Sequence, residues 1–108
     1  MWGDLSIDVA RDEAEIVAFL KQFQLGYDTA SDVTLTLRRD GQLIGTGSLR
    51  GQVLQCFAVD PTEQGTGMAS KLVDSLIKIA WERGHTRLFV FTTPMNTRLF
   101  QQLGFRVL

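Results

Sequence analysis

The residues best suited to chemistry lie between Val59 and Ala69, where Asp60-Pro61-Thr62-Glu63-Gln64 runs into Gly65-Thr66-Gly67-Met68-Ala69. An apolar run (residues 53–59) precedes this stretch, and a strongly periodic helical segment (residues 69–83) follows it. Strand, glycine-rich turn and helix together present backbone N–H groups and a helix dipole to an anion. Gly65 and Gly67 allow positive φ and close approach of a ligand to the backbone. No side chain in the turn is cationic, so a pyrophosphate would be held mainly by main-chain amides. The spacing is not that of a P-loop, because Lys71 lies too far past Gly67, nor that of a dinucleotide fingerprint, because Ser70 stands where a third glycine is needed. A turn that merely starts a helix would use the same residues.

The other reactive groups are scattered. Cys56 sits within the apolar run without a neighbouring His or Lys to form a thiolate, so it reads as a small core residue. Asp60 and Glu63 read as solvated turn residues, and His85 follows the long helix at the far end of the sheet from the glycines. Trp2, Trp81 and Phe23 read as packing groups. Arg38, Arg39 and Arg50 could meet a nucleotide phosphate or an acidic protein, although strand-end arginines usually just solvate. No cluster of metal ligands is present, and one cysteine forms no internal disulfide.

A chain of 108 residues, 44% hydrophobic and 21% charged, fits one globular domain spanning residues 1–108. A net charge of −1 speaks against nucleic acid as a partner. No apolar run approaches the length of a membrane span, and no signal peptide opens the chain, so the expected location is the cytoplasm.

The elements that must position the glycine turn follow from periodicity. Residues 5–9 alternate as a short strand, and Asp12 with Glu15 forms a capping box for a helix whose stripe is Ile16, Phe19, Leu20 and Phe23, ended by Gly26. Val33, Leu35 and Leu37 alternate with polar residues as a half-buried strand, Asp40-Gly41 turns a hairpin, and residues 43–49 return. Gly45 and Gly47 point to a bulge or a close approach to that strand. Residues 53–59 read as a central strand, and Ala69, Leu72, Val73, Leu76, Ile77 and Ala80 form the face of the long helix, with Gly84 beyond it. A buried parallel strand over residues 88–91, a short helix from Pro94 to Leu103 with Leu99 and Leu103 inward, and a strand starting at Phe105 complete the chain.

Gln64-Gly65-Thr66-Gly67-Met68-Ala69 resembles the Q/R-x-x-G-x-G/A motif of the GCN5-related N-acetyltransferases (GNAT), and Phe100-Gln101-Gln102-Leu103-Gly104-Phe105 resembles that family's Y-x-x-x-G-F ending. The element order agrees over about the whole chain. The implied fold is α/β, the acyl-CoA N-acyltransferase type, a mixed sheet with helices on both faces, here stopping as a sixth strand begins. Ile44-Gly45-Thr46-Gly47, the strand with Cys56, Ala80-Trp81-Glu82-Arg83 and Leu88-Phe89-Val90-Phe91-Thr92 are also similar to the N-terminal domain of the citrate lyase ligases. Those enzymes acetylate the thiol of the acyl-carrier prosthetic group of citrate lyase.

The resemblance implies acetyl-CoA or another coenzyme A derivative as ligand, including a dephospho-CoA-type prosthetic group. It places the pyrophosphate on the amides of Gln64, Gly65, Thr66, Gly67, Met68 and Ala69, and the pantetheine arm along Phe57, Ala58 and Val59. The family's acid tyrosine is replaced by Phe100, which has no ionisable proton. No carboxylate occupies residues 54–58, Thr93 stands in the family's asparagine position, and Asn96 comes four residues before Phe100. The implied function is a coenzyme A-binding module, without the ATP-dependent ligase site, that holds the prosthetic arm or its acyl-carrier subunit. An active small N-acetyltransferase and a purely structural interaction domain stay open beside it. The family fold continues past the G-F motif, so the chain reads as a fragment or as one half of a homodimer that completes the sheet.

Overall fold

The computed structural model describes residues 4–63 and 65–105. In order they form β1 (Leu5–Val9), α1 (Glu13–Lys21), β2 (Val33–Arg39), β3 (Gln42–Arg50), β4 (Val53–Val59), a 3-10 turn (Pro61–Glu63), α2 (Met68–Glu82), β5 (Phe89–Val90) and α3 (Pro94–Gln102). The five strands lie in sequence order in one mixed sheet: β1 to β4 pair antiparallel, and β5 joins β4 in parallel. Gln64, Trp2 and, beyond Phe105, the rest of the strand expected to start there lie outside the described residues.

Helices cover both faces of the sheet. On one side α1 packs Ile16, Phe19 and Leu20 around Ala58; on the other, Leu72, Val73, Leu76 and Ala80 of α2 meet Leu35, Leu37, Leu49 and Phe57. Phe100 of α3 joins this second cluster. The alternation in β2 suggested one solvated face, but Thr34 and Thr36 are buried as well, under the side that α1 covers. Their hydroxyls are satisfied there, Thr34 by Ser48 Oγ (2.7 Å) and Tyr27 (3.0 Å), Thr36 by donating to the Asp8 carbonyl (3.2 Å).

The helix ends explain two departures from expectation. Asp12 Oδ1 caps the Glu15 N–H (3.2 Å), but Glu15 does not reach back; its carboxylate pairs with Arg38 of β2. An ion pair tying helix to sheet replaces half of the capping box. α1 also stops before Gly26: Gln24 takes φ 60, and the N–H of Leu25 closes on the Leu20 carbonyl (3.0 Å). α2 and α3 end in the same way with Gly84 and Gly104 in the left-handed position. After Gly104, Phe105 packs edge-on against Phe100 at 5.7 Å, the apolar contact that accompanies such a closure.

Both readings of the glycines in β3 hold. The register shifts between Thr46 and Ser48, so that Gly47 faces two residues of β4, Cys56 and Phe57. A Cβ on Gly47 would stand 2.7 Å from Leu76 Cδ1, so α2 lies directly on this strand. Cys56 is the bulged residue, with φ 51, and is half-buried rather than a core side chain. The last strand is shorter than expected: only Phe89 and Val90 are laddered, and Phe91 is 68% exposed because β4 has already turned away. Trp81 is also half exposed and is no packing anchor.

Candidate functional site

The site is made by the loss of pairing along β4. β5 pairs with Val53 and Leu54 and no further, and the bulge at Cys56 redirects the second half of β4. Phe57 to Val59 therefore keep β3 on one edge and face a gap on the other, where Asn96 Nδ2 of α3 donates to the Phe57 carbonyl (3.4 Å).

Two cavities lie along this gap and share Val59 and Asn96. The first, about 310 Å³, is bounded by Phe57, Ala58 and Val59, by Phe23 and Leu25 at the exit of α1, and by Pro94. The second, about 580 Å³, has Gly65, Gly67, Ala69 and Ser70 on one wall and Arg98 and Gln102 of α3 on the other. Thr92 Oγ1, beside Thr93 at the first cavity, is buried with no hydrogen-bond partner among the described residues.

The glycine turn has the conformation that its composition requires. Gly65 and Gly67 take φ 83 and 82, and a Cβ at either would meet nothing within 4 Å. Lys71 N–H to the Gly67 carbonyl (3.2 Å) is the first bond of α2. Among the described residues, the N–H groups of Gly65, Gly67, Ala69 and Ser70 have no acceptor. They stand at the positive end of a helix of 15 residues. Met68 is buried beneath the turn, and Gln64, expected to contribute an amide, lies outside the described residues.

The residues before the turn divide into one expected and one unexpected case. Asp60 Oδ1 accepts from the N–H and hydroxyl of Thr62 (2.9 Å each), as a turn residue should. Glu63 is not solvated: it is buried and gripped by Arg39, Nε to Oε2 at 3.1 Å and Nη2 to Oε1 at 2.7 Å. The Glu63 carboxylate pushes the Arg39 guanidinium above its usual range. All three arginines thought to be free are paired, Arg38 with Glu15, Arg39 with Glu63 and Arg50 with Asp28. Among the described residues, the cation that borders the second cavity is Arg98, which was not among the candidates read from the sequence. Its signal was the i, i+4 spacing to Gln102, on a face of α3 beside the inward Leu99 and Leu103.

Phe100 is fully buried, its ring 4.9 Å from that of Phe57, and it borders neither cavity. Among the described residues bounding the first cavity none has an ionisable side chain. His85 closes the far end of α2, about 22 Å of helix from the glycines. Among the described residues no group of three or more metal-binding side chains occurs, and no helix is long and apolar enough to cross a membrane.

The acetyltransferase (GNAT) family profile matches residues 4–105. The chain belongs to the GNAT family. This GNAT chain is 40% identical over 98 residues to the citrate (pro-3S)-lyase ligase of Klebsiella pneumoniae, a match covering 91% of the chain and 28% of that protein. The ligase of Escherichia coli K12 is 38% identical over 113 aligned residues, covering 100% of the chain and 32% of the ligase. The GNAT chain thus spans about a third of the length of the curated relatives it matches. In fold it is similar to a predicted acetyltransferase of Clostridium acetobutylicum solved with acetyl-CoA, at TM-score 0.79 and 16% identity, covering 97% of this chain and 92% of the other. Both resemblances read from the sequence, to the GNAT fold and to the citrate lyase ligases, are present in these matches.

Proposed function

We propose that this GNAT chain acts as a single domain that binds a coenzyme A-type ligand. The observation that carries the reading is a pair of adjacent cavities sharing Val59 and Asn96, one lined by the glycine turn and Arg98, the other lying beside the strand edge of Phe57 to Val59. A diphosphate suits the first part, where Gly65, Thr66, Gly67, Met68 and Ala69 would present the helix start and Arg98 would add a positive charge. A narrow chain of amides and methylenes suits the second, where Phe57, Ala58 and Val59 would supply backbone partners and the Phe57 carbonyl already accepts a hydrogen bond. Gln64 would complete the turn.

The likeness to citrate lyase ligases supports a finer reading, in which the domain holds a dephospho-CoA-type prosthetic arm, or the acyl-carrier subunit bearing it. ATP-dependent ligation would then belong to parts of such a ligase that this chain does not span. The buried Phe100 in the acid position and the uncharged first cavity support binding rather than acetyl transfer to an amine. Calorimetric titration of the full chain with coenzyme A, dephospho-CoA and acetyl-CoA tests this. Saturable binding with preference for the dephospho form supports the finer reading. Absence of binding by all three at millimolar concentration overturns the proposal. Thiol release from acetyl-CoA with an amine panel would show an active N-acetyltransferase instead.

A further inference from the structure

We infer that Arg39 is a positioning residue for the glycine turn: it holds the buried Glu63 carboxylate and cancels its charge beside the anion cavity. The inference rests on the reading of that cavity as a phosphate site. Glu63 ends the 3-10 turn, its side chain is 8% exposed, and it borders the same cavity as Gly65 and Gly67. A carboxylate there opposes an incoming phosphate. Arg39, the last residue of β2, meets it with two parallel hydrogen bonds, a geometry that fixes orientation as well as charge.

The anchor reaches the turn through one further residue. The Glu63 carbonyl accepts both the N–H of Thr66 (3.2 Å) and its hydroxyl (2.6 Å), and Thr66 Oγ1 stands 3.5 Å from Glu63 Oε1. Thr66 separates the two positive-φ glycines and accepts from the Met68 N–H (3.4 Å) at the start of α2. Arg39, Glu63 and Thr66 therefore connect the end of β2 to the amides of the turn. On the neighbouring residue, Arg38 ties α1 to the same strand end through Glu15.

Charge and shape are separable by substitution, because removing one partner of a buried pair strands a charge and removing both does not. The test is affinity for coenzyme A and for inorganic pyrophosphate in Arg39→Gln, Glu63→Gln, the double variant and Arg39→Lys. Arg39→Gln is expected to weaken both ligands by roughly tenfold or more, with the loss growing at low salt. The double variant is expected to return to within about threefold of the native affinity, and Arg39→Lys, which keeps the charge without the fork, to fall between Arg39→Gln and the native chain. Native affinity in Arg39→Gln overturns the inference, as does a double variant no better than Arg39→Gln. Should Arg39→Gln not fold, the double variant decides: a loss of about tenfold there overturns it. If the unaltered chain binds neither probe, the reading of the cavity fails and this inference with it. If the unaltered chain binds and Arg39→Gln binds equally, only this inference fails.

Discussion

Replacing Gly47 by alanine tests the contact that seats α2 on the sheet and so places the glycine turn. The added methyl would lie 2.7 Å from Leu76 Cδ1 and 3.3 Å from Phe57 Cδ2, against an optimal carbon separation near 3.5–4.0 Å. Leu76 is fully buried and cannot swing into solvent, so its side chain must leave its rotamer or helix and strand must separate. Overpacking of this kind costs about 1–3 kcal/mol. Reduced freedom of the unfolded chain returns about 0.4–1 kcal/mol. A net loss of about 1–2 kcal/mol lowers Tm by roughly 4–9 °C in a domain of this size. Urea and thermal unfolding of Gly47→Ala measure it, with Gly26→Ala as the control, since a Cβ there meets nothing within 4 Å. Adding Leu76→Val to Gly47→Ala removes the opposing methyl and is expected to recover part of the loss. A Gly47→Ala chain as stable as the native one would refute the close approach of α2 and the packing argument built on it.

Three other substitutions and conditions test different parts of the account. Gly67→Ala meets no neighbour but must adopt φ 82, which costs about 1–2 kcal/mol; it is expected to weaken coenzyme A binding at least about tenfold by calorimetry, and unchanged affinity would separate the ligand from the turn. Phe100→Tyr adds a hydroxyl to a fully buried ring packed against Phe57 and Phe105 and is expected to cost about 1–3 kcal/mol in chemical unfolding without creating acetyl transfer; appearance of thiol release from acetyl-CoA with an amine would contradict the buried placement. The Arg38 hydrogen bond holds the Glu15 carboxyl below its usual range, and those of Gln55 and the Ala30 N–H do the same for Asp28. Both groups thus protonate less readily folded than unfolded, so their contribution is present above the ordinary carboxylate range and is lost as pH falls through their lowered folded values. Tm should therefore fall more steeply with acidification in the native chain than in a Glu15→Gln, Asp28→Asn variant, and parallel curves would remove these carboxyls from the acid response.

The parts of the fold that were legible in the sequence are those set by local chemistry. Alternation located β1 and β2, the Asp40-Gly41 pair adopted φ 52 and 82 as a tight hairpin demands, and the apolar period of α2 gave its buried face. Gly65 and Gly67 took the positive φ that made them conspicuous. What was not legible depends on partners distant in the chain. Glu15 left its capping box for Arg38, and Glu63 left solvent for Arg39, because each guanidinium arrives from β2, more than twenty residues away. Cys56 looked like an interior strand residue, since nothing local to it marks a bulge that lies opposite Gly47 of the neighbouring strand, where α2 packs closely. The short β5 follows from the same bulge. Arg98 was missed because a cation on α3 reaches the cavity beside the glycine turn only once the crossover brings that helix opposite the turn.

The central claim is that the turn and the gap beside β4 form one binding groove for a coenzyme A-type ligand. Backbone amide NMR of the full chain during titration with coenzyme A, dephospho-CoA and acetyl-CoA tests it most directly. The account predicts saturable shifts at Gly65, Thr66, Gly67 and Ala69 together with shifts at Phe57, Ala58 and Val59, moving with one dissociation constant. Amides of these two stretches that stay in place at millimolar ligand, or that shift with unrelated affinities, would contradict it.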